Sequence, residues 1–282
     1  MDRRGLLAII GGTGFDWRGE HALFSDALGE LIHTRWGTAH ITRARLRQDG
    51  GRDIVFLHRH ADPHVPERRR IPPHKINYRA NVAALKQIGV TGILASTAVG
   101  SLRPEWPAGT LVLLDQFIDC TTARAKTFFD EQPVHVDVTE PYCGGLRALL
   151  QQVAAEANIE LQEKGTYLCT DGPRFETPAE IRAYAKWGAD VVGMTGVPEA
   201  VLAREASISY AGVSIVTNIA AGISPHPLTQ SEVLTTMRAT FPRVAQLFLS
   251  AALAYKDDPA LPARRATAEF ATPEFDIATL FT

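Results

Sequence analysis

Asn218 ends an apolar run and opens a small turn, Asn218-Ile219-Ala220-Ala221-Gly222. The run before it, Tyr210 to Thr217, has the length and β-branched content of a buried strand. In open α/β sheets, ligands sit at the carboxyl ends of strands. A planar amide there offers one acceptor oxygen and two donor hydrogens, which suits the edge of a heterocycle. The alternative is a simple turn cap, because Asn tolerates such backbone positions. Phe175 and Glu176 stand just before Thr177-Pro178-Ala179-Glu180, a capping-box pattern with proline at the first helical position. An aromatic and a carboxylate at a helix entry could stack on a flat ring and accept from its N–H groups. A hydrophobic staple with a carboxylate favoured by the helix dipole explains the same pair equally well. Gly11-Gly12-Thr13-Gly14 follows the apolar run Leu6 to Ile10, so its N–H groups and the Thr13 hydroxyl can nest an anion. It has neither dinucleotide nor Walker spacing, and a tight turn without a ligand is an equal alternative. Arg59-His60 follows the strand-like run Asp53 to Leu57 and supplies a guanidinium that can grip an oxyanion with two bonds.

These residues need a scaffold, and the rest of the chain reads as alternating strand, turn and helix. Strands are expected in a meander over 30–58, at Gly92 to Ala98, Thr110 to Asp115, Gly165 to Thr170 and Asp190 to Thr195. Helices are expected from Ile76 to Ile88, Gly145 to Ala157, Val197 to Ala206, and from the second capping box at Thr229 to about Tyr255, with Pro242 kinking or restarting the last. Ala61 to His74 reads as a Pro-, Arg- and His-rich loop, and residues 119–143 as irregular. Met194 is as a rule core packing. One domain over residues 1–255 is expected, with a C-terminal extension over 256–282 that is mobile or packed on a neighbouring subunit.

With 282 residues, 45% hydrophobic and 21% charged, the composition is that of an ordinary globular protein. A formal net charge of -2 gives no electrostatic case for a nucleic-acid partner. No apolar run is long enough to span a bilayer, and Met1 to Gly5 leads into a strand without a signal region. Cys120, Cys143 and Cys169 lack metal-ligand spacing and fit a reducing compartment. A cytoplasmic protein is expected.

Taken together and in order, several loops resemble the trimeric purine nucleoside phosphorylase superfamily, most closely its methylthioadenosine phosphorylase branch. The matching segments are Gly11-Gly12-Thr13-Gly14-Phe15, Arg59-His60, Asn77 to Asn81, Thr97 to Leu102, Asp115 to Asp119, Gly172-Pro173-Arg174-Phe175 and Met194 to Glu199. The resemblance implies an α/β fold with a central mixed, twisted β-sheet flanked by helices. It implies reversible phosphorolysis of a purine nucleoside, with phosphate as co-substrate and neither a metal nor an organic cofactor. By resemblance, Thr13, Arg59, His60, Thr97, Ala98 and Thr195 hold phosphate. Met194 lies against the ribose, Phe175 faces the purine, and the loop Asn218-Ile219-Ala220 reads its edge. His135 matches a position that reaches into a neighbouring subunit's site, which implies a homotrimer.

The sequence departs from that nearest branch at the base. Methylthioadenosine phosphorylases carry Thr-Asp-x-Asp on the base-reading strand, where this chain has Thr217-Asn218-Ile219-Ala220; they carry Ser where this chain has Glu176. Glu with Asn resembles the pair of the 6-oxopurine phosphorylases. A 6-oxopurine presents an acceptor at C6 and a donor at N1, the reverse of a 6-aminopurine. Asn218 can donate to N7 and O6 while Glu176 accepts from N1–H, so these two are the expected catalytic pair. Mispairing costs about 1–3 kcal/mol per buried polar group, enough over two positions to invert preference. Gln230 falls where the relatives contact the 5′ substituent, and its amide suits a hydroxyl, with methylthioinosine left open. Rival readings are a methylthioadenosine phosphorylase, a non-catalytic binding protein on the same fold, and a hydrolytic nucleosidase.

Overall fold

The computed structural model describes residues 4–12, 24–47, 51–65, 70–224, 229–271 and 277–282. Ten strands form one mixed sheet among these residues: β1 (Leu6–Gly11), β2 (Phe24–Thr34), β3 (Gly37–Leu46), β4 (Arg52–His58), β5 (Val90–Ser101), β6 (Leu111–Leu113), β7 (Gln116–Asp119), β8 (Thr166–Cys169), β9 (Val191–Gly193) and β10 (Ser209–Ile219). Five helices accompany them: α1 (Tyr78–Gln87), α2 (Gly144–Glu156), α3 (Pro178–Lys186), α4 (Glu199–Glu205) and α5 (Gln230–Ala254).

The expected strands and helices are therefore present, with helices on both faces. β1 shows why. Leu7 and Ile9 pack with Leu146 and Leu150 of α2 and with Leu247 and Phe248 of α5, whereas Ala8 and Ile10 pack with Val82 and Leu85 of α1 and with Leu202 of α4. Successive side chains of a strand point to opposite faces, so a strand covered on both sides reads as a continuous apolar run.

β4, β1, β5 and β10 run parallel side by side. Long β5 then changes partner: Gly100 and Ser101 pair antiparallel with β9, which leads on to β8 and β7. The carboxyl ends of β1, β4, β5 and β10 thus converge at one edge, where open α/β sheets hold ligands.

Of the two outcomes expected at Pro242, a kink or a restart, the restart does not occur: α5 is one helix from Gln230 to Ala254. Pro242 and Arg238 are both exposed, so the carbonyl deprived of its N–H partner can turn to water. The described residues of the extension 256–282 make contacts with the rest of their own chain. Phe281 is buried, with its ring 5.0 Å from that of Phe128 and 5.8 Å from that of Trp36. Arg264 pairs with Asp257 at 2.9 Å and donates to the Ser207 carbonyl.

Candidate active site

A cavity of about 530 Å³ opens at the converging strand ends, a size that suits a small ligand. Of the sequence-selected residues, Arg59, His60, Ala98, Phe175, Glu176, Met194, Thr195, Asn218, Ala220 and Gln230 line it. Segments more than 100 residues apart in sequence, from Arg59 to Asn218, meet there.

Beyond the ends of β1 and β4 the cavity is lined by groups of the kind an anion requires. Gly12 lines it, and a Cβ there would lie 3.0 Å from Arg59 Nη1. Arg59 is fully buried. Its Nε and Nη2 donate to the two carboxylate oxygens of Glu199 at 3.0 and 2.8 Å, and its Nη1 donates to the Ser96 carbonyl at 2.5 Å. A guanidinium has five N–H bonds, so these three contacts leave two uncommitted. Burial works against the charge on Arg59, but the facing Glu199 carboxylate outweighs it and holds the guanidinium protonated beyond its ordinary range. Tyr210 of β10 donates to the same carboxylate at 2.8 Å.

His60 is tied twice to Ile71. The Ile71 N–H donates to the His60 carbonyl at 2.7 Å, and His60 Nδ1 lies 2.8 Å from the Ile71 carbonyl. Burial, reinforced by the charges of Arg59 and Arg70, pushes the imidazole down to about 4, against the opposing bond to Ile71. The ring is therefore neutral at pH 7. Its Nδ1 must carry the proton in order to donate to a carbonyl, which leaves Nε2 as an acceptor.

Thr195 lines the cavity, but Thr97 does not. Its hydroxyl is buried between β5 and β10 against Ser214 Oγ at 2.8 Å. Thr13 lies outside the described residues.

The cavity also carries groups suited to a heterocycle. Thr177 caps α3 through a reciprocal capping box with Glu180, and Arg174 clamps Glu180 at 2.7 Å. That cap fixes the chain direction at Phe175 and Glu176. Glu176 accepts from Thr170 Oγ1 at 3.0 Å, and burial raises its carboxyl above the usual range. Phe175 is 44% exposed, an open ring face at the cavity mouth. Asn218 accepts from Thr217 Oγ1 at 2.8 Å, which orients its amide oxygen and leaves Nδ2 facing the Ile219 carbonyl at 3.1 Å. Gly172 takes φ +63, and a Cβ there would fall on Met194 Sδ, so only glycine lets this loop approach Met194.

The start of α5 also lines the cavity, where Gln230 is joined by Val233 and Leu234. Ile219 is not among the lining residues, although its neighbours Asn218 and Ala220 are. His135 is exposed and is not among the residues that line the cavity.

Several contributors were not singled out in the sequence. Glu199 reads there as a carboxylate at a helix start, and only the fold reveals it as the buried partner of Arg59. Arg70, Ile71, Pro72 and Pro73 line the cavity from the loop after β4, where Pro and Arg content signals a loop but no role. Arg124, in the irregular stretch, donates to the carbonyls of Thr170, Asp171, Met194 and Val197, and so ties these segments together.

A family model described as the phosphorylase superfamily matches residues 6–254. The chain belongs to the phosphorylase superfamily. Among its relatives in that superfamily, a probable 6-oxopurine nucleoside phosphorylase of Dictyoglomus turgidum is 48% identical over 247 residues, covering 86% of this chain and 89% of that protein. A probable S-methyl-5′-thioinosine phosphorylase of Methanothermobacter thermautotrophicus is 45% identical over 232 residues, covering 82% and 78%. The structure of methylthioadenosine phosphorylase from Schistosoma mansoni in complex with adenine superposes with a TM-score of 0.84 at 31% identity, covering 96% of this chain and all of that one. No helix among the described residues of this superfamily member is long and apolar enough to cross a membrane.

Proposed function

We propose that the chain is a 6-oxopurine nucleoside phosphorylase, a pentosyltransferase that converts an inosine- or guanosine-type nucleoside and phosphate into free base and (deoxy)ribose 1-phosphate. The observation that carries this reading is that Glu176 and Asn218 line the same cavity as Arg59, His60 and Thr195. A phosphate oxygen attacks C1′ as the C1′–N9 bond breaks, through an oxocarbenium-like state. The bonding pair passes into the purine, and Asn218 donates to N7 as negative charge grows there. Glu176 accepts from N1–H. The free N–H bonds of Arg59 and the Thr195 hydroxyl hold the phosphate, and the reaction balances with phosphate as the one co-substrate. Ala98 and Thr13 complete the anion site in this reading, while Thr97 acts from behind β5 through its backbone.

S-methyl-5′-thioinosine is a second reading. Val233 and Leu234 offer an apolar surface beside Gln230, which suits a methylthio group as well as the amide suits a hydroxyl. In either case the base is 6-oxo. We further propose a cytoplasmic homotrimer serving purine salvage. The exposed His135, off its own cavity, is free to reach a neighbouring subunit's site.

A phosphate-dependent assay on inosine, guanosine, methylthioinosine and methylthioadenosine tests this reading. The 6-oxo substrates should be cleaved faster, and inosine against methylthioinosine then assigns the α5 wall. Methylthioadenosine cleaved fastest would overturn the assignment of Glu176 and Asn218.

A further inference from the structure

Tyr167 stands in β8 with its ring fully buried. Its hydroxyl accepts from two backbone N–H groups in the turn between β9 and α4, that of Thr195 at 3.0 Å and that of Gly196 at 3.2 Å. Both amides lie outside the strand ladder and the helix, so the phenol supplies the partner that buried backbone donors require. The turn wraps the ring closely. A Cβ on Gly193 would lie 2.5 Å from Tyr167 Oη, and one on Gly196 would lie 2.9 Å from its Cε1. Glycine at both positions is what admits a tyrosine beneath the turn.

The residues on either side of these amides are held as well. Cys169, on the same face of β8, directs its thiol to the Val197 carbonyl at 3.4 Å. Arg124 donates to Val197 at 2.6 Å and to Met194 at 2.7 Å. Four consecutive residues, Met194 to Val197, are thus fixed through their backbones from below the cavity.

Thr195 lines the cavity beside Arg59 and His60, whereas Tyr167 does not line it. With its amide committed to the phenol, the hydroxyl is the donor that Thr195 has left for an anion. We propose that Tyr167 is a positioning residue for phosphate: its hydroxyl sets the Thr195–Gly196 turn so that Thr195 meets the oxyanion through its side chain. This rests on the phosphorolysis reading above and adds to it a residue behind the site.

The test measures binding of inorganic phosphate to the full chain by calorimetry, beside steady-state phosphorolysis. Tyr167→Phe keeps the ring and removes the hydroxyl. The Kd and KM for phosphate should rise about tenfold, with the nucleoside KM within about twofold of the parent. An unchanged phosphate Kd, or an equal rise in both KM values, overturns the proposal. In a Thr195→Val background the same substitution should cost no further phosphate affinity, and a full additive loss overturns it. Should Tyr167→Phe fail to fold, amide hydrogen exchange on the native chain decides. The Thr195 and Gly196 amides should be protected before phosphate is added and unchanged afterwards. Protection that arises only with phosphate would place those amides on the anion and overturn the proposal. A parent chain that binds phosphate, loses that affinity in Tyr167→Phe and yet cleaves no purine nucleoside would remove the phosphorolysis reading and leave the role of Tyr167 in place.

Discussion

Glu176 is half-buried beside Thr170, and its raised carboxyl has a consequence for pH. It must be ionised to accept from N1–H of a 6-oxopurine. Because burial lifts its protonation above the ordinary glutamate range, that acceptor is lost on the acid side sooner than an exposed glutamate would lose it. We expect kcat/KM for inosine to fall as pH drops through this raised value and to be restored above it. Glu176→Gln keeps the size and removes the titration. It should lower kcat/KM for inosine about ten- to a hundredfold, the worth of a hydrogen bond to a charged group, and flatten the acid limb. A pH–rate profile of parent and variant checks both. Asn218 carries no charge, so its contribution should be independent of pH over the same range.

Among the elements, α3 and α5 bear most on the cavity. α3 begins with a cap whose two bonds are both present: Thr177 Oγ1 accepts from the Glu180 N–H at 3.2 Å, and Glu180 accepts from the Thr177 N–H at 2.7 Å. Thr177→Ala should cost about 1 kcal/mol of stability, read from denaturant unfolding. Because the cap also aims Phe175 and Glu176, the same variant should raise the nucleoside KM while leaving phosphate affinity unchanged. α5 starts at a second capping box, in which Glu232 N–H donates to Thr229 Oγ1 at 3.3 Å, and so delivers Gln230 to the cavity from its first turn. Both starts were legible because a capping box is a local pattern. The continuity of α5 through Pro242 was not, because it depends on which side of the helix faces water.

Across the whole molecule, the strongest constraint is the buried group of Arg59, Glu199 and Tyr210, supplied by the chain after β4, by α4 and by β10. An ion pair with both side chains fully buried contributes little net stability, but removing one partner strands the other charge. Glu199→Gln should destabilise the fold by about 3–5 kcal/mol in urea unfolding. Phosphate should then restore more stability to the variant than it adds to the parent, because the anion replaces the lost counter-charge and binds the folded state alone. Equal stabilisation of both proteins would separate Arg59 from the anion site.

Read by itself, the sequence determined the α/β alternation, the capped starts of α3 and α5, and the residue types that Phe175, Glu176 and Asn218 bring to the cavity. These are local matters: periodicity, caps and strand ends are set within a few residues, and the chemistry of an amide or a carboxylate does not depend on the fold. The tertiary structure alone decided which distant side chains are partners. It turned the Thr97 hydroxyl to Ser214, placed Glu199 on Arg59, set Tyr167 beneath the Thr195 turn, brought Arg70 to Pro73 into the cavity wall and laid the C-terminal extension on its own chain. Each of these is a contact between segments far apart in sequence. Burial, which sets the protonation of His60 and Glu176, arises only when those segments close over one another.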